Sequence, residues 1–420
     1  MNVELITTGT ELLLGNVLNT HVAAIATAIF PLGLRISRQV TVPDGPAIRE
    51  ALLESFGRAD IVIVTGGLGP TTDDITREIT AELLGLELVH DEEVMQSITE
   101  RFVRRCLTVG ERVKRQAQRP REATMLHNDH GTAPGLYFPP QRVSIGSAEA
   151  HSPHIFLLPG PPRELRPMVD KSMIPILRGL TTPPDFALRT WKFAGIGESQ
   201  VEDKVGEALV ALGAELGYCA RPGEVDVRVI GTPAQLEAAA EILHGQLAEH
   251  LVAEDGRSLE SVVVELLTAR KATLATAESC TGGYLAHRVT NIPGASAVFT
   301  SGFVTYANEA KVRDLGVDAE IIQQHGAVSR QTAIAMATGA LARANADFAL
   351  TTTGIAGPSG GSKEKPVGTV YIGLAERGRE TEGHHFRFQT DRETFKDMTT
   401  QAALNLLRLA LLRVEPASPR

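Results

Sequence analysis

The order of apolar and polar positions divides the chain into alternating strands and helices. Near the start, VELITTG (residues 3–9) is a strand running into a glycine turn. PAIREALLESF follows with Ala47, Ile48, Ala51, Leu52 and Phe56 on one helical face, and residues 61–64 are an unbroken β-branched run, IVIV. Continuous apolar strands with amphipathic helices between them indicate a parallel sheet covered on both faces. The charged, arginine-rich stretch 100–122 reads as an exposed helix or a lid, and LRGLTTPPDF (residues 177–186) has linker composition. A shorter βαββα pattern comes next, with RTWKFAGI and DVRVI as strands and ESQVEDKVGEALVAL and PAQLEAAAEILHGQLAEHL as helices. A second break falls at AEDGRS (residues 253–258). Beyond it the pattern returns to strand and helix: ATLATA, a helix opening after TGG, AVFTSGFVTY, an alanine-rich helix from Ser329, FALTTTG, VGTVYIGLA, GHHFRFQ and a last helix from Asp391.

These elements predict an α/β chain in which two three-layer α/β domains, 1–178 and 257–415, flank a small α+β middle domain, 185–252, that is KH-like in element order. A length of 420 residues suits two or three domains, and 43% hydrophobic with 22% charged residues is an ordinary globular composition. The formal net charge of −9, with one Trp and five Tyr, argues against a dedicated nucleic-acid binder, which would carry a basic stripe and aromatic platforms. Arg101, Arg104, Arg105, Arg112, Lys114, Arg115, Arg119 and Arg121 form a local basic run, read as the solvated face of a helical segment. Cys106, Cys219 and Cys280 lack CxxC spacing, so neither a disulfide framework nor a zinc site is expected and a reducing compartment is. The N-terminus lacks a basic n-region, and no apolar run approaches the ~20 residues that span a bilayer. A cytoplasmic protein without a membrane partner is the expectation. The pairs His127/His130 and His151/His154 fall in loop-like composition and read as surface histidines; GIGES (residues 195–199) reads as a strand–helix turn capped by Glu198 or Ser199.

ATAESCTGG (residues 275–283) places a polar cluster where a strand ends and a helix begins. Ligands in open α/β sheets bind beyond the carboxyl ends of strands, and free N–H groups at a helix start attract phosphate or an oxyanion. Gly282 and Gly283 would let a ligand approach the backbone; a plain capped turn would use the same residues. SGFVTYANEAK adds Tyr306 and Lys311 just past another strand, TTTGIAGPSGG (residues 351–361) a third strand end with a glycine-rich loop, and Arg392 stands at the start of the last helix. A hydroxyl nucleophile needs a base, and lysine serves once burial or nearby positive charge lowers its pKa. Cys280 is the rival to Ser279, since a thiol is intrinsically the better nucleophile; adjacent residues at a strand end point different ways, and Ser279 is preferred.

TAESCTGG, the YxxxxK pair and TGIAGPSGG, in this order, resemble the C-terminal domain of the CinA family, a nicotinamide mononucleotide deamidase, over about residues 257–415. The resemblance implies hydrolysis of the nicotinamide amide to the acid with release of ammonia and no cofactor. Carried over, it makes Ser279 the nucleophile and Lys311 its base, with Tyr306 orienting Lys311 or relaying the proton; Ser296, Thr353 and Arg392 hold substrate. N–H groups near Thr281, Gly282 and Gly283, or Gly354, would stabilise the oxyanion, often worth ~3 kcal/mol per donor.

TGGLGPTTDDITRE (residues 65–78) follows the IVIV strand. Gly66, Gly67 and Gly69 permit backbone contact with a phosphate, Thr71 and Thr72 add hydroxyls, and Asp73 and Asp74 are hard oxygen ligands suited to a divalent cation. The aspartates could instead simply favour a helix N-terminus. This segment is similar to the signature of molybdopterin-binding domains, and closer to the CinA N-terminal domain, where TGTELLLG (residues 8–15) and LLPGPPREL (residues 157–165) accompany it. The resemblance implies hydrolysis of ADP-ribose to AMP and ribose 5-phosphate with a divalent metal of the magnesium or cobalt kind. Asp73, Asp74 and Glu11 are the candidate ligands, Gly67, Gly69 and Thr71 the diphosphate contacts, and Glu164 a weaker candidate. The expected partners are therefore nicotinamide mononucleotide and ADP-ribose, within NAD recycling, and a homodimer. Two other readings stand beside this one. A molybdenum-cofactor binding protein would leave residues 257–415 unexplained, and a non-catalytic accessory to competence or DNA recombination would act through protein contacts.

Overall fold

The computed structural model describes residues 1–145 and 148–413, so the last two residues of the expected 257–415 domain lie outside the described residues. The chain forms two compact units, residues 1–185 and residues from 186 onward, and the small middle domain shares its unit with the third domain.

In the first unit the apolar runs become β1 (Asn2–Thr8), α1 (His21–Ile29), β2 (Arg35–Val42), α2 (Ala47–Ser55), β3 (Ile61–Thr65), α3 (Thr76–Leu84), α4 (Glu92–Arg104), β4 (Thr124–Leu126), β5 (Gly135–Phe138), β6 (His154–Leu158) and α5 (Pro162–Met168). The sheet order is β2-β1-β3-β6-β5-β4. The first four strands are parallel and the last two antiparallel. Because side chains alternate across a strand, Ile61 and Ile63 enter a core with Ile25, Ile29 and Leu165, while Val62 and Val64 enter one with Ile48, Leu52 and Ile79. That alternation is why the run is apolar at every position, and it gives three layers.

The basic stretch is built mostly into contacts. α4 is capped by Asp91, Arg101 donates to the carbonyls of Gly131 (2.6 Å) and Asp129 (3.0 Å), and Arg119 pairs with Asp91 (2.6 Å). Two sequence expectations need correction. Residues 177–180 of the expected linker continue a helix, Ile174–Leu180, because Leu177 is buried in the core. His154 is not in a loop but opens β6, half-buried, where its Nδ1 meets the Tyr137 hydroxyl at 2.8 Å.

The second unit opens with β7 (Ala187–Ala194), a helical run from Glu198 to Val210 whose middle turn widens to π geometry, β8 (Glu215–Arg221), β9 (Glu224–Gly231), α6 (Pro233–Leu247) and β10 (Leu251–Ala253). The sheet order is β8-β9-β7-β10, antiparallel throughout. Trp191 and Phe193 pack under Val205, Leu243 and Leu247. After α7 (Leu259–Arg270) come β11 (Leu274–Glu278), α8 (Tyr284–Thr290), β12 (Phe299–Val304), α9 (Asn308–Leu315), α10 (Ala319–His325), α11 (Arg330–Ala344), β13 (Phe348–Gly354), β14 (Thr369–Glu376), β15 (Glu382–Arg387) and α12 (Arg392–Leu412). The order is β12-β11-β13-β14-β15, with the first three strands parallel. α7 and α12 cover one face through Leu267, Leu404 and Leu407, and α11 the other through Met336, Ala337 and Ala340. Within this unit, buried Arg408 of α12 donates to the carbonyls of Leu251 (2.7 Å) and Glu249 (3.0 Å), tying α12 to the end of the small domain. No helix among the described residues is long and apolar enough to cross a membrane.

Candidate active site

The carboxyl ends of β11, β12 and β13 adjoin, because the three strands are parallel neighbours with Glu278 opposite both Val304 and Thr352. Ser279 follows β11 directly, and its N–H donates to Thr352 O at 2.9 Å. Lys311 comes from the first turns of α9, which is entered straight from β12, and only 1% of it is exposed. Its Nζ lies 3.3 Å from Ser279 Oγ and donates to the carbonyls of Thr305 (2.9 Å) and Tyr306 (3.2 Å). No carboxylate is paired with it among the described residues, and burial pulls its pKa below the ordinary lysine value.

This coordination matters chemically. A neutral amine has two N–H groups and one lone pair. Two carbonyls consume both N–H groups, which leaves the lone pair for the Ser279 hydroxyl to donate into. Cys280, one residue away, faces the apolar core, and burial pushes its thiol up to about 12. It is therefore not the thiolate that nucleophilic sulfur requires.

Glu278, left without a role by the sequence, is fully buried and organises the loop. Its carboxylate accepts from Thr281 Oγ1 (2.7 Å) and from the N–H groups of Gly283 (3.0 Å), Leu285 (3.0 Å) and Ala286 (2.8 Å). An acid closing a strand before a glycine turn is the sequence signal that points to this. One oxyanion expectation changes as a result. The N–H of Gly283 is taken by Glu278, that of Gly282 by Ser279 O and that of Cys280 by its own thiol, whereas that of Thr281 has no protein partner among the described residues. Gly282 and Gly283 instead serve the turn, at φ +62° and +96°. Gly354 is needed for packing, since a Cβ there would meet Thr369 O at 2.8 Å.

The remaining expected residues separate into near and far. Tyr306 reaches Lys311 through its backbone carbonyl; its exposed phenol accepts from Arg392 Nη2 at 3.0 Å, so the side chain neither orients the amine nor relays its proton here. Arg392, first residue of α12, also donates to Gly357 O at 2.9 Å and so links the third loop to Tyr306. Thr353 is buried, its hydroxyl donating to Ala327 O at 2.7 Å. Ser296 is not brought to Ser279. It is exposed in a single turn before β12, at the amino end of that strand, whereas Ser279 follows the carboxyl end of β11 alongside.

In the first unit the carboxyl ends of β1, β3 and β6 open onto a cleft of about 580 Å³ that takes in Glu11, Gly67, Gly69, Thr71, Asp73 and Asp74, with Glu164 at its edge. Gly67 is at φ +68°, and a Cβ on it would meet Thr76 Oγ1 at 2.0 Å. The metal expectation does not fit this geometry: among the described residues no three His, Cys, Asp or Glu side chains converge on one point. The physical reason is local. Asp74 turns back on its own loop to accept from Thr71 N (2.9 Å) and the Thr71 hydroxyl, Asp73 is exposed, and Glu11 folds over Gly9. Glu164 is nearly buried and accepts from Asn128 Nδ2 at 3.0 Å. His21, absent from the residues expected here, lines the cleft with Nδ1 at 2.9 Å from Thr65 Oγ1; burial lowers its pKa. No spacing in the sequence marks it.

Fold and sites thus define a molybdopterin-binding-like α/β domain joined to a KH-like domain and a third α/β domain with a serine–lysine pair. Three family models match accordingly: the probable molybdopterin binding domain over residues 4–179, the damage-inducible protein CinA KH domain over 188–251 and the CinA C-terminal domain over 256–411. A CinA-like protein of Akkermansia muciniphila is 45% identical, covering 100% of this chain and 99% of its own length. A putative competence-damage inducible protein of Caldicellulosiruptor bescii is 42% identical, covering 98% and 100%. Among solved structures, the competence/damage inducible protein CihA from Agrobacterium tumefaciens is 46% identical over 37% of this chain and 94% of its own, with a TM-score of 0.36. The chain belongs to the CinA family.

Proposed function

We propose that the third domain hydrolyses the amide of nicotinamide mononucleotide to the acid and ammonia. The observation that carries this reading is the buried Lys311 amine, which has two carbonyl acceptors, no carboxylate partner among the described residues, and Ser279 Oγ at 3.3 Å. The Ser279 hydroxyl passes its proton to Lys311 Nζ as Oγ adds to the amide carbon. The carbonyl oxygen gains the electron pair and takes the free N–H of Thr281 as a donor. Collapse breaks the C–N bond; the proton on Lys311 goes to the leaving nitrogen and ammonia departs. Water, deprotonated by the now neutral Lys311, releases the acid and restores Ser279. Exposed Arg392, paired with the Tyr306 hydroxyl, supplies a cation for the phosphate of the substrate. Ammonia release from nicotinamide mononucleotide is the test, with and without EDTA. Activity indifferent to chelation and absent in Ser279→Ala is expected, and full activity in that variant would end the reading.

For the first unit we propose binding of the ADP-ribose diphosphate in the cleft at the Gly66–Thr71 turn, with cleavage to AMP and ribose 5-phosphate. Strand-end position and glycine backbone support it. The donor set does not hold a metal as it stands, so no step is assigned to one. AMP release from ADP-ribose, measured with and without divalent metal, is the test.

A further inference from the structure

A cavity of unit two lies away from Ser279, between the small domain and the third domain, with a volume of about 620 Å³. Its walls are the GIGES turn after β7, the β8–β9 hairpin, the turn before β10, the end of β15 and the outer face of α12. The floor is apolar: Phe386 and Phe388 lie 5.8 Å apart at 18°, beside Met398, Leu406 and Leu409. Backbone approaches closely from the other side. Gly223, at φ +75°, stands where a Cβ would meet Gln401 Cγ at 2.9 Å, and Gly195, at φ +73°, faces Asn405 Nδ2 at 3.2 Å.

The polar groups select among ligands. Asn405 Oδ1 accepts from Arg408 Nε (3.0 Å), which leaves the Asn405 amide N–H groups for a guest. His250 uses Nδ1 on Ala194 O (3.2 Å). The one arginine on the rim, Arg221, is held by Glu224 (3.3 Å) and Asp226 (2.5 Å). Glu198 and Glu249 also stand on the rim, so its acidic groups outnumber its basic ones. A pocket of this size at a domain junction, with an apolar floor and a few convergent polar groups, is the ordinary form of a small-molecule site. The acidic rim disfavours phosphate, which would meet carboxylates and no uncommitted cation.

We propose that this cleft is a further small-molecule site, distinct from the Ser279 site of the same unit, taking a flat, uncharged or cationic heteroaromatic compound against Phe386 and Phe388. α12 connects it to the other site: Arg392 is its first residue, and Asn405 lies thirteen residues on, about 20 Å along the helix axis.

The test uses the full-length protein, with adenosine as probe and AMP as its phosphorylated counterpart, followed by calorimetry and saturation-transfer NMR. Gly197→Phe fills the cleft without backbone strain, because its φ is −90° and an added Cβ meets only Gln200 Oε1, at 3.6 Å. Leu409→Asp places charge at a partly exposed wall position and guards against a folding failure of the first variant. Saturable adenosine binding, at least tenfold weaker for AMP and at least tenfold weaker in both variants, with unchanged ammonia release from nicotinamide mononucleotide, is the expected result. Absence of adenosine binding, AMP binding as tightly as adenosine, or binding that persists in both variants would overturn it.

Discussion

Replacing Lys311 by Met removes the amine while keeping an unbranched chain of similar length in the same buried slot. Two consequences separate. Catalysis loses its base, and positioned general bases contribute about 10²–10⁴-fold, so kcat should fall by that factor, equivalent to about 3–5 kcal/mol of barrier. Stability responds to two opposing effects. The carbonyls of Thr305 and Tyr306 lose their donor, a cost of about 1–3 kcal/mol for each one left dry, but the variant also no longer holds an amine in a site that disfavours its charge. Wild-type kcat/KM should rise with pH through a lysine pKa below the ordinary value of about 10.4, because burial lowers it and only the neutral form accepts the Ser279 proton. As pH falls through that value Lys311 protonates and the rate is lost. Lys311→Arg should not rescue, since guanidinium stays charged. The assay is ammonia release across pH, with denaturant melts on both variants. A Met variant retaining more than about a tenth of kcat, against the general-base range above, would refute the assignment, as would a wild-type profile lacking that limb.

Three further outcomes are expected. Ser279→Ala should abolish ammonia release, whereas Cys280→Ala should keep most of it and lose about 1 kcal/mol of stability, as for deletion of a small buried group; active-site titration with an amide-directed covalent probe would label position 279. Glu278→Ala strands three backbone donors in a buried loop, the Thr281 hydroxyl keeping Thr352 Oγ1, so urea unfolding should show a loss of about 3–5 kcal/mol at about 1–3 kcal/mol per donor, with activity lost because the Ser279 turn is no longer held. Gly67→Ala meets both a positive φ and Thr76 Oγ1 at 2.0 Å; a drop of more than 1 kcal/mol in the first unit and weaker ADP-ribose binding by calorimetry are expected, with ammonia release untouched.

Much of the fold was legible because periodicity reports burial directly. The run at 61–64 is apolar throughout since β3 faces two cores, and Ser258, Thr232, Ser329 and Asp391 cap α7, α6, α11 and α12 as their residue types suggest. Ser279 and Lys311 were also legible, because strand-end position follows from element order once three strands run parallel.

What the chain order did not settle depends on side-chain direction and on contacts distant in sequence. Tyr306 was placed beside Lys311 by spacing, yet only its carbonyl turns that way, because the phenol is drawn to an arginine 86 positions on. Asp73, Asp74 and Glu11 look like a ligand set in one dimension, but a carboxylate three residues from a threonine can satisfy itself locally, and Asp74 does. Ser296 sits in the right segment and at the wrong end of its strand. Periodicity along the chain suffices to say which segments become strands and helices and which turns lie at strand ends. Which side chains meet there is a property of the folded chain, because rotamers and long-range partners are chosen by packing rather than by position along the chain.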